Sequence, residues 1–411
     1  TITDGIILKR LSIKNLYQEL DKLISNKKIL LKYQKLSLKN FYLTNKYASK
    51  KIDIYRDELL YIKKNESKKL NINHNIRILH ITNFNLRFDG RLFYNTGRRI
   101  NNGLIKLNHN VLEISDRDIT HDNKNIGDID GSKTLNKKII SIVQNFKPNL
   151  IILGHADKVK TETILKIKAF DNSIKFAQWF LDPINKFGPD FLKNKERFLK
   201  LYYLMDSNFI TTSPDMLTFL KNDKKCFYVP NPCDEALDSL NIYNNIRASN
   251  DIFFAMSHGA HRGVLKGGKE DERYKLLNLV SNNLDIKTNF YGINKIQPIW
   301  ADKFLQSLWN SKMGLNLSRG KPIKYYSSDR MAQYMGNGLA TLIDEKTKYK
   351  DFFNDDEMIF YKNSSDLIEK INKYKKDDKL RIKIAKKGTQ KYRRFFNSKL
   401  VANYMVNKTM N

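Results

Sequence analysis

Residues Met313 to Asp344 read MGLNLSRGKPIKYYSSDRMAQYMGNGLATLID. Gly314 to Leu317 is an apolar run with the length of a short buried strand. A loop with Arg319, Gly320, Lys321 and Pro322 follows. Asp329 stands where it would N-cap a helix beginning at Arg330. Gly338 falls where that helix must stop, and Leu339 to Ile343 is apolar again. A helix N-terminus flanked by Arg and Lys, at the carboxyl end of a strand, suits an anion such as the phosphates of a nucleotide. Arg319, Lys321 and Arg330 are the cations placed to meet it.

The same alternation extends in both directions. Strands are expected at Ile76–Thr82, Val111–Ile114, Leu150–Leu153, Lys175–Phe180, Asn208–Thr212 and Phe227–Pro230. Helices are expected at Leu92–Leu107, Leu135–Phe146, Thr163–Ala169, Arg197–Met205 and Asp215–Lys221 between them. Pro230-Asn231-Pro232 can continue neither helix nor sheet and reads as a hinge. A second series follows: strands at Asp251–Met256, Thr288–Tyr291 and Met358–Tyr361, helices at Tyr274–Val280, Trp300–Ser311 and Asp366–Tyr374, and a last basic helix over Leu380–Tyr404. Strands alternating with helices at this pitch imply two doubly wound parallel sheets with a cleft between them. The expected organisation is a helical extension over 1–72, a first Rossmann-like domain over 73–230, a second over 231–390 and a C-terminal helical tail over 391–411.

Composition narrows the partners. The chain has 411 residues, 41% of them hydrophobic, enough for a large core in two or three domains. Cys226 and Cys233 are too few for a disulfide framework and fit no zinc spacing, which points to a reducing cytosol. No apolar run approaches the roughly 20 residues that span a bilayer. No signal peptide is visible, although a chain beginning at Thr1 need not carry its natural N-terminus. The formal charge of +31 is consistent with an anionic partner, such as an inner membrane face or a nucleotide-bearing substrate. Lysines spread over nearly every segment are equally consistent with an AT-rich base composition. The Lys-rich helices expected within 1–72 are candidates for packing on the catalytic body, on another copy of the chain, or on a membrane interface.

Four stretches resemble glycosyltransferases of the GT-B fold, most closely the CgeB-like, spore-maturation type and more distantly family 4. Trp179-Phe180-Leu181-Asp182-Pro183 is similar to the aromatic-Asp-Pro turn after a central strand of the first domain. Tyr228 to Asp234 resembles the crossing between domains, and Ser311 to Asn316 the strand before the donor site. Arg330-Met331-Ala332-Gln333 with Gly338 resembles the Arg-x-x-Glu helix and its terminal glycine. The resemblance spans about residues 76–400. It implies a metal-independent enzyme whose only cofactor-like molecule is the nucleotide-sugar substrate, and donor diphosphate contacts in the loop that follows the second domain's first strand. Gln333 departs from the pattern, because the family usually has a Glu there that binds the nucleotide ribose. An amide can accept one hydrogen bond and donate another, but carries no charge.

In that second-domain loop, Ser257-His258-Gly259-Ala260-His261-Arg262-Gly263 and Lys266 combine glycines for close backbone approach with basic side chains. His258, Gly259, Arg262 and Lys266 are therefore expected at the donor with Arg319, Lys321, Arg330 and Gln333. The histidine pair has no nearby Cys or Glu cluster, so a metal is not expected. In the first domain, Asp89 and Arg91 at the end of the loop after the first strand are candidates to touch the acceptor. His155, just beyond a strand, and Asp182, at the end of the next, are alternative proton acceptors for catalysis. Asp128-Ile129-Asp130 lies in a polar loop away from the donor and reads as a turn.

The expected activity is transfer of a sugar from a nucleotide-sugar to a hydroxyl of a glycan, lipid-linked, protein or small-molecule acceptor. The expected setting is the cytoplasm, including the inner face of the membrane. Two alternatives stay open. A nucleotide-sugar epimerase of the same fold needs several acidic and His residues converging on one sugar. A nucleic-acid-binding or scaffolding protein needs a continuous basic stripe with interleaved aromatics, which makes nucleic acid the less favoured partner.

Overall fold

The computed structural model describes residues 13–40, 75–87, 89–220, 223–257 and 273–411, with backbone alone at 14 and 36–40. Two units cluster separately, residues 1–74 and residues 75–411. In the first, α1 (Ile13–Ser25) and α2 (Lys27–Asn40) are joined at Asn26, whose side chain accepts from the Lys28 and Ile29 N–H groups at 3.2 Å. On α1, Ile13, Leu16, Tyr17, Leu20 and Ile24 fall on one helical stripe and are exposed. The rest of the helical extension expected over 1–72 lies outside the described residues.

The second unit holds two parallel sheets. The first contains β1 (Arg77–Thr82), β2 (Asn110–Ser115), β3 (Leu150–Gly154), β4 (Lys175–Phe180), β5 (Ser207–Ile210) and β6 (Cys226–Tyr228), in the order β2-β1-β3-β4-β5-β6. β1, β3 and β4 are buried along nearly their whole length, as covering of both faces by crossover helices requires. Helices α3 (Thr96–Lys106), α4 (Asp116–Asp122), α5 (Ser132–Phe146), α6 (Thr161–Phe170) and α7 (Phe191–Tyr202) make the connections. One face packs Leu135, Ile139 and Val143 of α5 with Ile164 and Ile167 of α6 against Leu79, Ile81 and Ile151.

The second sheet contains β7 (Asn250–Ala255), β8 (Thr288–Tyr291), β9 (Ser311–Asn316), β10 (Ala340–Asp344) and β11 (Ile359–Tyr361), in the order β11-β10-β9-β7-β8. Its helices are α8 (Arg273–Ser281), α9 (Ala301–Trp309), α10 (Arg330–Asn337), α11 (Ser364–Lys376) and α12 (Asp378–Phe395), and α13 (Ser398–Met410) ends the chain. In both sheets the strand order reverses direction beside the first strand, at β1/β3 and at β7/β9. Each reversal leaves a crevice at the carboxyl ends of the strands.

Three local expectations change. Asp215–Lys221 does not form an α-helix: two 3-10 turns, Pro214–Met216 and Thr218–Leu220, occupy its described part. The basic stretch Leu380–Tyr404 is two helices, because the chain turns at Asn397, whose side chain caps α13 by accepting from Leu400 N at 2.9 Å. Residues 391–411 are therefore no separate tail. Val401, Ala402, Met405 and Val406 of α13 belong to the apolar core on the other face of the first sheet, with Ile78, Ile100 and Phe209.

The two halves are joined twice, at 231–238 and at 396–398. Cys233 N donates to Phe396 O at 2.9 Å and Ser398 N to Cys233 O at 2.7 Å, so the crossings run side by side. Asn231, Pro232, Cys233 and Asp234 are buried. Arg99 of α3 has no exposed side-chain surface and grips Asp238 with Nε at 2.8 Å and Nη2 at 2.7 Å. Asp238 also accepts from Asp234 N at 2.9 Å and from the Asn337 amide at 3.1 Å.

Breaking a buried ion pair from one side leaves the other charge without its partner. Arg99→Met is expected to cost about 3–5 kcal/mol, read as a lower urea midpoint with an unchanged slope. A second prediction concerns pH. His80 is wholly buried between the Asn101 amide oxygen and the Trp179 indole N–H, and burial pushes its pKa down to about 4. Below about pH 6.5 the unfolded chain takes up a proton that the folded chain refuses, so stability falls until about pH 4. The contribution amounts to about 3 kcal/mol at pH 4. The non-titrating His80→Gln variant should lose correspondingly less between pH 7 and pH 4.5 in urea unfolding.

Candidate active site in the cleft between the sheets

The carboxyl ends of both sheets face a common cleft of about 700 Å³. At the first sheet's reversal, Thr82 Oγ1 donates to Gly154 O at 2.8 Å, tying β1 to β3. Position 154 admits only glycine, because a Cβ there would lie 2.0 Å from the Trp179 ring. Asn95, whose side chain caps α3 through Arg98 N at 2.9 Å, brings Thr96 and Gly97 to the same cleft.

The second sheet supplies Arg330 at its own reversal. The guanidinium spans the two strand ends, with Nη1 donating to Ala255 O at the end of β7 at 3.2 Å and Nη2 to Leu317 O just after β9. It lies over the Phe254 ring at 4.8 Å, and burial lowers its pKa. Asp329 does not cap this helix. Its backbone is already helical, and its carboxylate turns instead to Thr96 Oγ1 at 2.7 Å and to Gln333 Nε2 at 3.2 Å. The cap is lost because a residue within helical geometry cannot aim its side chain at the first free N–H groups.

His155 and Asp182 are brought together. His155 sits at φ 48, a strained region for a non-glycine residue, and its Nε2 accepts the Leu181 N–H at 2.6 Å. Its Nδ1 lies 3.1 Å from Arg197 Nη2 and 3.7 Å from Asp182 Oδ2. Burial lowers the imidazole pKa against the pull of Asp182. Asp182 is 44% exposed and accepts from Arg197 Nη1 at 2.6 Å. Burial pushes its carboxyl up, but His155 and the Arg197 hydrogen bond outweigh this and hold it below the usual carboxylate range. Arg197 also binds Asp157, which pairs in turn with Arg117 at 3.0 Å.

Arg319 and Lys321 reach across the cleft. Arg319 Nη1 binds Asp190 Oδ2 at 2.5 Å, and the Lys321 carbonyl accepts from the Asn185 amide at 2.7 Å. Gly320, at φ 77, lets this loop press on the first half, since a Cβ there would stand 2.6 Å from Gly188 Cα. Lys193, Arg197, Arg273, Arg319 and Arg330 gather around an adjoining cavity of about 360 Å³ that also includes Asp182.

Of the remaining expectations that fall on described residues, Gln333 lines a cavity beside Tyr94 and Trp300, and Asp89 and Arg91 do not. Asp89 is exposed and lines none of these cavities, and Arg91 lies over the Trp300 ring at 5.6 Å, bridging the halves. Gln333 is 7% exposed behind Asp329. His258, Gly259, Arg262 and Lys266 lie outside the described residues. Asp128 and Asp130 accept from the Lys133, Thr134 and Ser132 N–H groups at the start of α5. Sequence reasoning missed Arg197, Arg273, Asp157, Asp329 and the Leu92–Gly97 segment. The glycine and Asn cap at Asn95–Gly97 were the readable signal there; the others sit on helices or loops with no motif.

Residues 269–407 match the family described as Glycosyl transferase-like. No curated protein matches the chain. Among solved structures, a glycosyltransferase from Rickettsia africae aligns with 81% of this chain and 97% of its own, at 12% identity and a TM-score of 0.51. HepE from Anabaena, crystallised with UDP-glucose, covers 81% and 98% at 10% identity and a TM-score of 0.52. Sucrose-phosphate synthase from Thermosynechococcus elongatus covers 81% and 98% at 11% identity and a TM-score of 0.51. Two parallel doubly wound sheets facing one cleft, shared with these structures over four-fifths of the chain, give this protein the GT-B fold.

Proposed function

We propose that the protein is a glycosyltransferase that moves a sugar from a nucleotide-sugar donor to an acceptor hydroxyl. The observation that carries this reading is the opposition of two charges across one cleft. Arg330, fixed at the strand reversal of the second sheet, and the ionised Asp182 of the first line the same cavities. The match to the Glycosyl transferase-like family and the fold shared with a UDP-glucose-binding structure support it.

In this reading the donor diphosphate lies against Arg330, Arg273 and Arg319, whose charge offsets that released as the sugar–phosphate bond breaks. No metal is called on for that neutralisation. The acceptor hydroxyl approaches from the first sheet's side, and Asp182 takes its proton as the new glycosidic bond forms. His155 is the weaker candidate for the proton. Its Nε2 already accepts the Leu181 N–H and its Nδ1 is wedged between Arg197 and Asp182. It orients Leu181 and Asp182 instead. The epimerase alternative asks for several acids and histidines converging on one sugar, and His155, the one histidine lining the cleft among the described residues, has both ring nitrogens engaged.

Thermal-shift measurements with UDP-, GDP-, CMP- and dTDP-sugars test the reading. Stabilisation by one nucleotide class is expected. Stabilisation by none of them overturns the proposal, and stabilisation by oligonucleotides alone favours the nucleic-acid alternative. Asp182→Asn should lower turnover by about 10²–10⁴-fold while leaving nucleotide affinity near wild type. Because Asp182 is held below the usual carboxylate range, the acid-side fall of the wild-type kcat/KM profile should lie at lower pH than an ordinary carboxylate base would give.

A further inference from the structure

Three cavities meet in sequence along the cleft. The first is aromatic, with Leu92 and Tyr94 from one half and Trp300 and Phe304 from the other. Tyr94 and Phe304 stack at 5.4 Å, and the Trp300 indole N–H has no acceptor among the described residues. The last is the cationic cavity around Arg273, Arg319 and Arg330. Between them, Asp329 borders both the aromatic cavity and the central cleft, and Arg330 borders all three. A nucleoside diphosphate has the same order: a flat base, a ribose with two adjacent hydroxyl donors, then two phosphates. A carboxylate is the natural acceptor for those hydroxyls.

Position 333, where the resemblance expects that carboxylate, holds an amide that is nearly buried. Gln333 Nε2 donates to Asp329 Oδ2 at 3.2 Å, from one helical turn behind it. Asp329 is the exposed member of the pair, at 37%. Its Oδ1 accepts from Thr96 Oγ1 at 2.7 Å and lies 3.5 Å from Arg99 Nη1. Each carboxylate oxygen accepts more than one hydrogen bond, so both retain capacity toward the cleft.

We propose that Asp329 is the ribose-binding carboxylate of this chain and that Gln333 is its positioning residue. The proposal rests on the nucleotide-sugar reading above and specifies which side chain selects the ribose. It carries a consequence for charge. A Glu at 333 would stand within hydrogen-bond distance of Asp329, where two carboxylates disfavour each other's ionisation. Restoring the residue that the resemblance expects should therefore weaken the site.

Isothermal titration of the full chain with UDP, GDP and CDP, and with their 2′-deoxy counterparts, tests this. The wild type is expected to bind its preferred ribonucleotide about tenfold or more tightly than the 2′-deoxy form. Asp329→Asn should lose about tenfold in affinity and erase that difference. Gln333→Glu should also weaken binding, and the double variant D329N/Q333E should recover part of the loss. Tighter binding by Gln333→Glu, or equal binding of ribo and 2′-deoxy forms by the wild type, overturns the assignment while leaving the nucleotide reading intact. The wild-type comparison needs no variant to fold. Absence of binding by any of these nucleotides overturns the assignment, and the nucleotide reading falls with it only where the CMP- and dTDP-sugars also fail to stabilise the protein.

Discussion

The Arg99–Asp238 ion pair is the contact on which the arrangement of the two sheets depends. A guanidinium with no exposed surface is tolerable only where its donors are met, and here Asp238 and the Tyr94 carbonyl meet them. Arg99 belongs to the helix after β1, and Asp238 to the connection that leads into the second sheet. Asp238 also holds Asn337 at the end of α10. Its neighbour Asp234 accepts from Lys106 of α3 and from Ser398 at the start of α13. One buried polar network therefore fixes α3, both chain crossings and α10 at once. Its far edge reaches the cleft, where Arg99 Nη1 stands 3.5 Å from Asp329.

That geometry changes the meaning of the proline hinge. Two prolines at 230 and 232 suggest a free joint, yet the crossing is buried and hydrogen-bonded to a second, parallel crossing. Relative motion of the halves must work against both strands of the joint and the Arg99 clasp. The cleft is consequently held with defined walls: Arg330 locked to the ends of β7 and β9, Asp182 locked to Arg197. Groups held this way meet a developing charge without first having to reorganise.

The charge of +31 is a poor guide to this site. Many cations at the cleft already have carboxylate partners, such as Arg197 with Asp157 and Asp182, Arg319 with Asp190, and Arg117 with Asp157. The partners come from 15 to 129 residues away in sequence. No count of lysines and arginines distinguishes these structured pairs from the solvated majority.

The sequence by itself determined the strands, their parallel sense and the two-sheet plan. Those depend on local periodicity and on the length of each crossover, which are written in consecutive residues. It also placed Arg330 at a helix start beyond the carboxyl end of a strand, and His155 and Asp182 at the ends of successive strands, because in a doubly wound sheet the carboxyl end of every strand opens on the cleft. Only the tertiary structure decided how those groups act. The Leu181 N–H occupies the nitrogen His155 would use, Asp329 turns from the helix end toward Thr96 of the other half, and α13 leaves the second sheet to complete the core of the first. Each of these outcomes is set by partners 26 to 233 residues away, and no local pattern encodes such a distance.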